Sequence, residues 1–410
     1  MLHGNLRRKL DRFRNDIVRN ELPAAVSATP LHYGRLAEAL DGEVHSTSSG
    51  WYCLVTTRYP CDSLKSSRPL FGGHGGREAP LPLAAFLPGS EAGRVPVSSL
   101  LFLDIETTGL GGAGSVAFLI GCGSVRDGEF EVRQYLIPDY SDEAAMLESL
   151  LEEFNDRRVV VSYNGAAFDL PILRDRLIIN RVARDIPMQR HIDLLHPVRR
   201  LFRRRLGDCT LVNVEKELLG FERNGDIPGY LIPSVYFEWL SEQRLDLMRA
   251  VLEHNRRDIV SMYYVAVLIA RAFETHGKVL DSVDDLYSLS RIFGRLRETE
   301  RVIDLYHRLD RMQEAPLADD IVLFHAQVFK RAGRYDRAVE LWRRLAGVGS
   351  REGFLANVEL AKYYEHKARD PRQAHLHARQ ALGIGAPTRR QAEALRHRLA
   401  RLQTKLIEDT

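Results

Sequence analysis

Apolar runs of strand length, separated by turn residues, fill the middle of the chain, and helical periodicity fills its last third. Leu101-Phe102-Leu103 opens one such run, and Val116–Cys122 and Phe130–Ile137 follow as two more, the last two joined at Asp127-Gly128. Three sequential strands with short links predict an antiparallel meander. Ser141 stands as the N-cap of a helix carrying Ala144, Met146, Leu147, Leu150, Leu151 and Phe154. Val159–Tyr163 reads as a buried strand, with a helix from about Asp169 to Asn180 and a further short strand at Ile192–Leu194. Earlier, Trp51–Tyr59 reads as a strand ending at Pro60. Residues 5–20 have the spacing of a basic amphipathic helix, which docks on its own protein or lies on nucleic acid or membrane. The stretch from Arg68 to Val97, rich in proline and glycine, reads as an irregular connector. A long periodic helix covers Leu245–Ala270.

Beyond residue 280 the pattern changes to dense helix with polar loops. Phe329–Trp342 (FKRAGRYDRAVELW) has the helix–turn–helix form of a tetratricopeptide-like repeat, and a period of 36 residues relates Val302, Ala338 and Ala374. A plain helical bundle is the alternative. The bundle would only stabilise the preceding domain, whereas a repeat array carries no chemistry and offers a surface for a protein partner or for positioning a substrate.

Composition narrows the class. At 410 residues the chain predicts two or three domains. Its net charge of +3 means that affinity for nucleic acid must come from a local patch. Cys53, Cys61, Cys122 and Cys209 have no metal-binding spacing, and a reduced cytoplasmic protein is the simplest expectation. No run approaches the about eighteen apolar residues of a membrane span, so no membrane partner is expected.

Candidate chemistry begins at Asp104-Ile105-Glu106. A strand has a side-chain period of two, so both carboxylates face one side and repel unless a cation sits between them. Mg²⁺ or Mn²⁺, hard ions that take oxygen ligands, suit such a pair, beside a turn opened by glycines 109, 111, 112 and 114. Alone, the pair reads equally as two exposed acids on an edge strand. Asp169 falls where a strand hands over to a helix, in Asn164–Asp169 (NGAAFD). It is either a helix cap or a third carboxylate at a strand end. Asn164 and Phe168 would line the same cleft. His254 and Asp258, four apart on the long helix, share one face and form either a surface pair or part of a carboxylate set. Residues 199–205 (RRLFRRR) hold five arginines around Phe202. They predict phosphate contacts with a stacking aromatic, or a solvated helix face.

Asp104, Glu106, Asp169 and Asp258, in that order, resemble the acidic quartet of the DEDD exonuclease superfamily, and the chain is most similar to the bacterial YprB-like group of ribonuclease-H-like proteins. The segments that carry the resemblance are 103–121, 163–173, 191–211, 226–233 and 254–262. It implies a ribonuclease-H-like α/β fold, a mixed sheet flanked by helices, over residues 99–275. An N-terminal region at 1–98 and an all-α tetratricopeptide-like domain at 280–410 complete the expectation. It also implies two Mg²⁺ or Mn²⁺ ions on the four carboxylates and 3′–5′ hydrolysis of single-stranded DNA or RNA. His254 would orient or deprotonate a water, in the place of the tyrosine of the tyrosine subtype, because HNRRD spaces it from Asp258 by three residues. Thr107, Asn164, Phe168, Arg199, Arg200, Arg203 and Arg204 would contact the strand. An endonuclease on the same fold, and a non-catalytic nucleic-acid-binding scaffold, are the competing expectations.

Overall fold

A computed structural model describes residues 31–60, 81–87, 93–109, 114–155, 157, 159–223, 225–242, 245–312 and 316–408. The basic segment at 5–20, most of the Pro/Gly-rich connector, Cys61 and turn residues 110–113 lie outside them. The chain divides into two compact units. The first comprises residues 1–197 and 210–268, and the second 198–209 and 269–410.

The first unit is built on a mixed seven-stranded sheet with flanking helices. Its elements are α1 (Leu31–Ala39), β1 (Glu43–Thr47), β2 (Gly50–Pro60), β3 (Leu100–Thr107), β4 (Ala117–Arg126), β5 (Glu129–Leu136), α2 (Glu143–Glu152), β6 (Val159–Ser162), α3 (Asp169–Ile179) and β7 (Arg190–Asp193). The sheet order is β1-β2-β5-β4-β3-β6-β7. The meander expected from the apolar runs is present, with β3, β4 and β5 pairing antiparallel in sequence. β6 and β7 then add parallel to β3's other edge, with Leu101 opposite Val160 and Val161 opposite Ile192. Parallel pairing requires a crossover, and the helical segments supply it.

Two features depart from the sequence reading. The strand expected over Trp51–Tyr59 is no isolated N-terminal piece. It pairs antiparallel with β5, Val55 opposite Gln134, and extends the sheet by a hairpin with β1. The alternation of β1 is too polar (EVHST) to signal a strand by itself. Nor does Ser141 cap α2. Asp139 accepts the Ser141 N–H at 2.8 Å, a 3₁₀ turn follows, and α2 begins at Glu143 with Asp142 before it.

The helix α4 (Leu195–Leu206) follows β7, α5 spans Ile232–Glu242, and α6 spans Leu245–Glu274. Within the first unit, α6 lies against the sheet where β4 carries glycines. A Cβ on Gly121 would stand 2.2 Å from Asn255 Oδ1, and one on Gly123 would stand 2.4 Å from Ile259 Cγ2. These glycines are what let α6 approach. Tyr236 is buried, stacks on Phe118 at 3.9 Å and donates to the Ile137 carbonyl at 3.0 Å, a packing role.

The second unit is all-helical beyond α6: α7 (Val283–Arg295), α8 (Thr299–Arg311), α9 (Asp319–Arg331), α10 (Tyr335–Ala346), α11 (Arg351–Tyr363), α12 (Pro371–Ile384) and α13 (Arg389–Glu408). Helices α8, α10 and α12 start 36 residues apart. Left-handed residues recur at the same interval before them, at Arg297, Gly333 and Arg369. Val302, Ala338 and Ala374, which share that period, are fully buried. Small or branched side chains there admit close helix approach.

Candidate active site

The β3 strand carries Asp104 and Glu106 on one face, with Ile105 buried on the other. The pair sits in the interior of the sheet, with β4 on one side and β6 on the other, so it is not at an edge. Asp169 opens α3, immediately beyond the end of β6. The helix-cap alternative does not hold for it. Phe168 occupies the N-cap position, and the Asp169 carboxylate instead accepts the Ile105 backbone N–H at 3.3 Å, which ties it to β3 between the paired acids. The α6 helix brings the fourth carboxylate, Asp258, and beside it Asn255, whose amide donates to Asp104 Oδ2 at 2.8 Å. Gln134 of β5 in turn donates to Asn255 Oδ1 at 2.9 Å and to the Leu252 carbonyl at 2.8 Å, which locks the amide's orientation.

The four carboxylates form one electrostatic group. Burial pushes the Asp104 carboxyl well up, and the negative charges of Asp258, Glu106 and Asp169 add to it. Glu106 is raised by burial and by Asp258, Asp169 and Asp226, with Arg223 opposing. Asp169 is pushed up to about 6, chiefly by burial. Asp258 is raised by burial, opposed by Arg223 and His254. The acids lie near enough to raise one another, and Arg223 and His254 oppose that only in part.

The loop that bears Asp169 is held by Asp193, at the end of β7. Asp193 accepts from the backbone N–H groups of Asn164 at 2.8 Å, Ala166 at 3.1 Å and Leu195 at 3.1 Å. Asn164 takes a left-handed conformation, φ 65°. A Cβ on Gly165 would lie 2.4 Å from Ser162 Oγ and 2.8 Å from Asp169 Oδ2, so only glycine fits between strand and carboxylate. Phe168 is half exposed, at 51%. The Thr107 hydroxyl donates to the Gly109 carbonyl at 2.5 Å.

His254 is fixed from behind. Its Nδ1 lies 3.0 and 3.1 Å from the two oxygens of Asp226, and its Nε2 stands 3.9 Å from Asp258 Oδ2. Asp226 is held below the usual carboxylate range by Arg223 and His254, against the opposing effect of burial. Arg223 connects the group. Its guanidinium, with the side chain 4% exposed, contacts Glu215, Asp226 and Asp258. Sequence reasoning passed over Arg223, Glu215, Asp193 and Asn255. A lone arginine in a loop, or a lone glutamate in a short helical turn, carries no spacing signal, and Asn255 was visible only as part of HNRRD.

The arginine-rich stretch belongs to the second unit. Phe202 is fully buried, so its ring is not available for stacking on a base. Arg204 pairs with Asp284 and Asp320, both at 2.5 Å, and Arg205 with Asp285 at 2.9 Å. Arg204 thus spends its charge within the unit. Arg199 and Arg203 are exposed, and Arg200 is half-buried.

As the side chains stand, no group of three or more His, Cys, Asp or Glu among the described residues closes around an ion. The donor set itself suits a hard divalent cation. It is all carboxylate oxygen, partly buried and mutually repelling, and a dication relieves that repulsion. No helix among the described residues is long and apolar enough to cross a membrane.

Comparison with known proteins identifies the family. The sequence profile of the RNase H superfamily matches residues 101–270, the span that contains all four carboxylates. The chain is 35% identical over 315 residues to the uncharacterized protein YprB of Bacillus subtilis (strain 168), covering 75% of each. Among solved structures it is similar to the family B DNA polymerase of the archaeon Pyrobaculum calidifontis, at 18% identity and a TM-score of 0.34. That likeness covers 60% of this chain and 30% of the polymerase, and is too loose to bear on function.

Proposed function

This chain belongs to the RNase H superfamily as a YprB-like protein, and we propose that it is a divalent-metal-dependent nuclease, a 3′–5′ exonuclease acting on single-stranded DNA or RNA. One observation carries the reading. Asp104, Glu106, Asp169 and Asp258, spread over more than 150 residues of sequence, are drawn into one partly buried group, with Asp169 bonded to the Ile105 N–H between the paired acids and Asn255, on the helix of Asp258, bonded to Asp104. Mg²⁺ or Mn²⁺ held there would activate a water and stabilise the leaving 3′ oxygen of a phosphodiester.

The chain's own residues do the rest. Asp226 holds His254 by Nδ1 and leaves Nε2 toward Asp258, where it orients the attacking water or accepts its proton. Asn255 fixes Asp104, and the Ile105 N–H fixes Asp169, so the carboxylates are held in place before substrate arrives. Phe168, exposed next to Asp169, offers a face for a base, and Thr107, next to Glu106 in β3, and Asn164, in the turn before Asp169, would contact the strand. Arg199 and Arg203, exposed in the second unit, would contact phosphates of a bound strand. Arg200 is half-buried, and Arg204 is engaged by aspartates. The helical region would serve as a tetratricopeptide-like surface for a protein partner, in a cytoplasmic enzyme.

The test is nucleotide release from end-labelled DNA and RNA oligonucleotides with Mg²⁺ or Mn²⁺, beside a closed single-stranded circle. We expect release from linear strands, none with chelator, and an intact circle. Equal release by wild type and Asp104→Ala would overturn the site. Cutting of the circle would make the protein an endonuclease. Absence of release with either metal on either nucleic acid would favour a binding scaffold.

A further inference from the structure

Arg223 is too firmly held to be a passing counter-ion. Its Nε and Nη2 meet the two oxygens of Glu215 at 2.6 and 2.5 Å, a fork-to-fork contact with a glutamate that is fully buried. Its Nη1 donates to Asp226 Oδ2 at 2.9 Å and stands 3.5 Å from His254 Nδ1. Nη2 also reaches Asp258 Oδ1. Glu215 and Asp226 lie outside the quartet, so the guanidinium is anchored independently of the acid it serves. Among the described residues its direct ion pairs go to Glu215, Asp226 and Asp258, while Glu106 feels its charge only at longer range and Asp104 and Asp169 are not paired with it.

The consequence is an asymmetric site. Asp258 has one oxygen committed to a fixed positive charge, and the other faces His254. A dication placed on Asp258 would sit beside a buried guanidinium that cannot swing away without leaving Glu215 charged and unpaired. Asp104, Glu106 and Asp169 remain raised by burial and by neighbouring carboxylates, Glu106 with partial relief from Arg223, and can still give one ion the one or two carboxylates that Mg²⁺ usually takes, with waters completing its shell.

We propose that Arg223 is a resident cation that takes the place of one of the two divalent ions expected of this quartet, leaving a single-ion seat on Asp104, Glu106 and Asp169. It rests on the metal-dependent reading of the site above. In that role Arg223 supplies fixed positive charge where negative charge grows on the phosphate, and it positions Asp258 and, through Asp226, His254.

The test counts ions and needs no turnover. Full-length protein, stripped with chelator and dialysed, is titrated with Mn²⁺ alone, and free ion is followed by electron paramagnetic resonance. Wild type should bind one ion per chain, Arg223→Lys one, and Arg223→Met two. If Arg223→Met does not fold because Glu215 loses its partner, Arg223→Met/Glu215→Gln removes both charges and should also bind two. Two ions in wild type would overturn the resident-cation role and leave the metal-dependent reading standing. One ion in a folded Arg223→Met, or in the double variant, would overturn it as well. No ion in wild type would overturn both readings together.

Discussion

At the scale of single residues, burying the carboxylates of the candidate site together costs stability. Glu106 is raised by burial and by three neighbouring carboxylates, more than Arg223 offsets, so its charge costs folding energy when no metal ion is present. Glu106→Gln should therefore raise the melting temperature in chelator, by about 2–4 °C for each kcal/mol recovered. The same change should cut nucleotide release by at least about a hundredfold, as a lost metal ligand would. Calorimetry and a single-turnover assay on one preparation check both halves. A second buried group makes a pH prediction away from the site. His325 in α9 is 1% exposed, its Nδ1 donates to the Ile321 carbonyl at 2.8 Å, and its Nε2 has no partner. Burial lowers its pKa from 6.5 to about 4. A histidine held neutral in this way leaves stability intact above its unfolded value near 6.5, and stability falls as the pH drops toward about 4. The loss amounts to about 3 kcal/mol at most. His325→Phe should flatten that acid limb in urea denaturation between pH 6.5 and 4, and an unchanged slope would count against it.

At the scale of elements, the decisive contact within the first unit is α6 on β4. The helix delivers His254, Asn255 and Asp258, and it reaches the sheet only because Gly121 and Gly123 leave room. Gly121→Ala would drive a methyl into Asn255 and Ile259, an overpacking that costs about 1–3 kcal/mol. The loss should appear as a lower urea midpoint. Activity should fall more than stability alone explains, because Asn255 can no longer hold Asp104. Gly114→Ala, whose Cβ meets nothing within 4 Å, is the control and should be silent in both assays. The strand and helix of the paired acids and of Asp169 were legible in the sequence, because apolar runs and turn residues are local signals. The β1–β2 hairpin's place in the sheet was not, since the pairing of β2 with β5 joins segments some eighty residues apart with no shared local pattern.

At the scale of the whole molecule, two compact units predict two unfolding events, of which one responds to metal. A divalent ion bound only by the folded first unit stabilises it by about 2.7 kcal/mol at a hundred times its dissociation constant. Differential scanning calorimetry should show one transition moving up with Mn²⁺ and the other staying in place. Coincident movement of both would rule out this independence. By itself, the sequence determined the fold class, the four acids in order, and the helical character of the last third with its 36-residue period. These follow from side-chain alternation, helical spacing and a local motif, and each is written in consecutive residues. Only the tertiary structure decided that Asp169 binds the Ile105 amide rather than capping its helix, that Phe202 is core, and that Arg204 is spent on aspartates. It also supplied Arg223, Glu215, Asp226 and Asn255 as the second half of the site. The physical reason is the same throughout. What a polar side chain does depends on which opposite charge or hydrogen-bond partner folding brings to it, and those partners lie tens to hundreds of residues away along the chain.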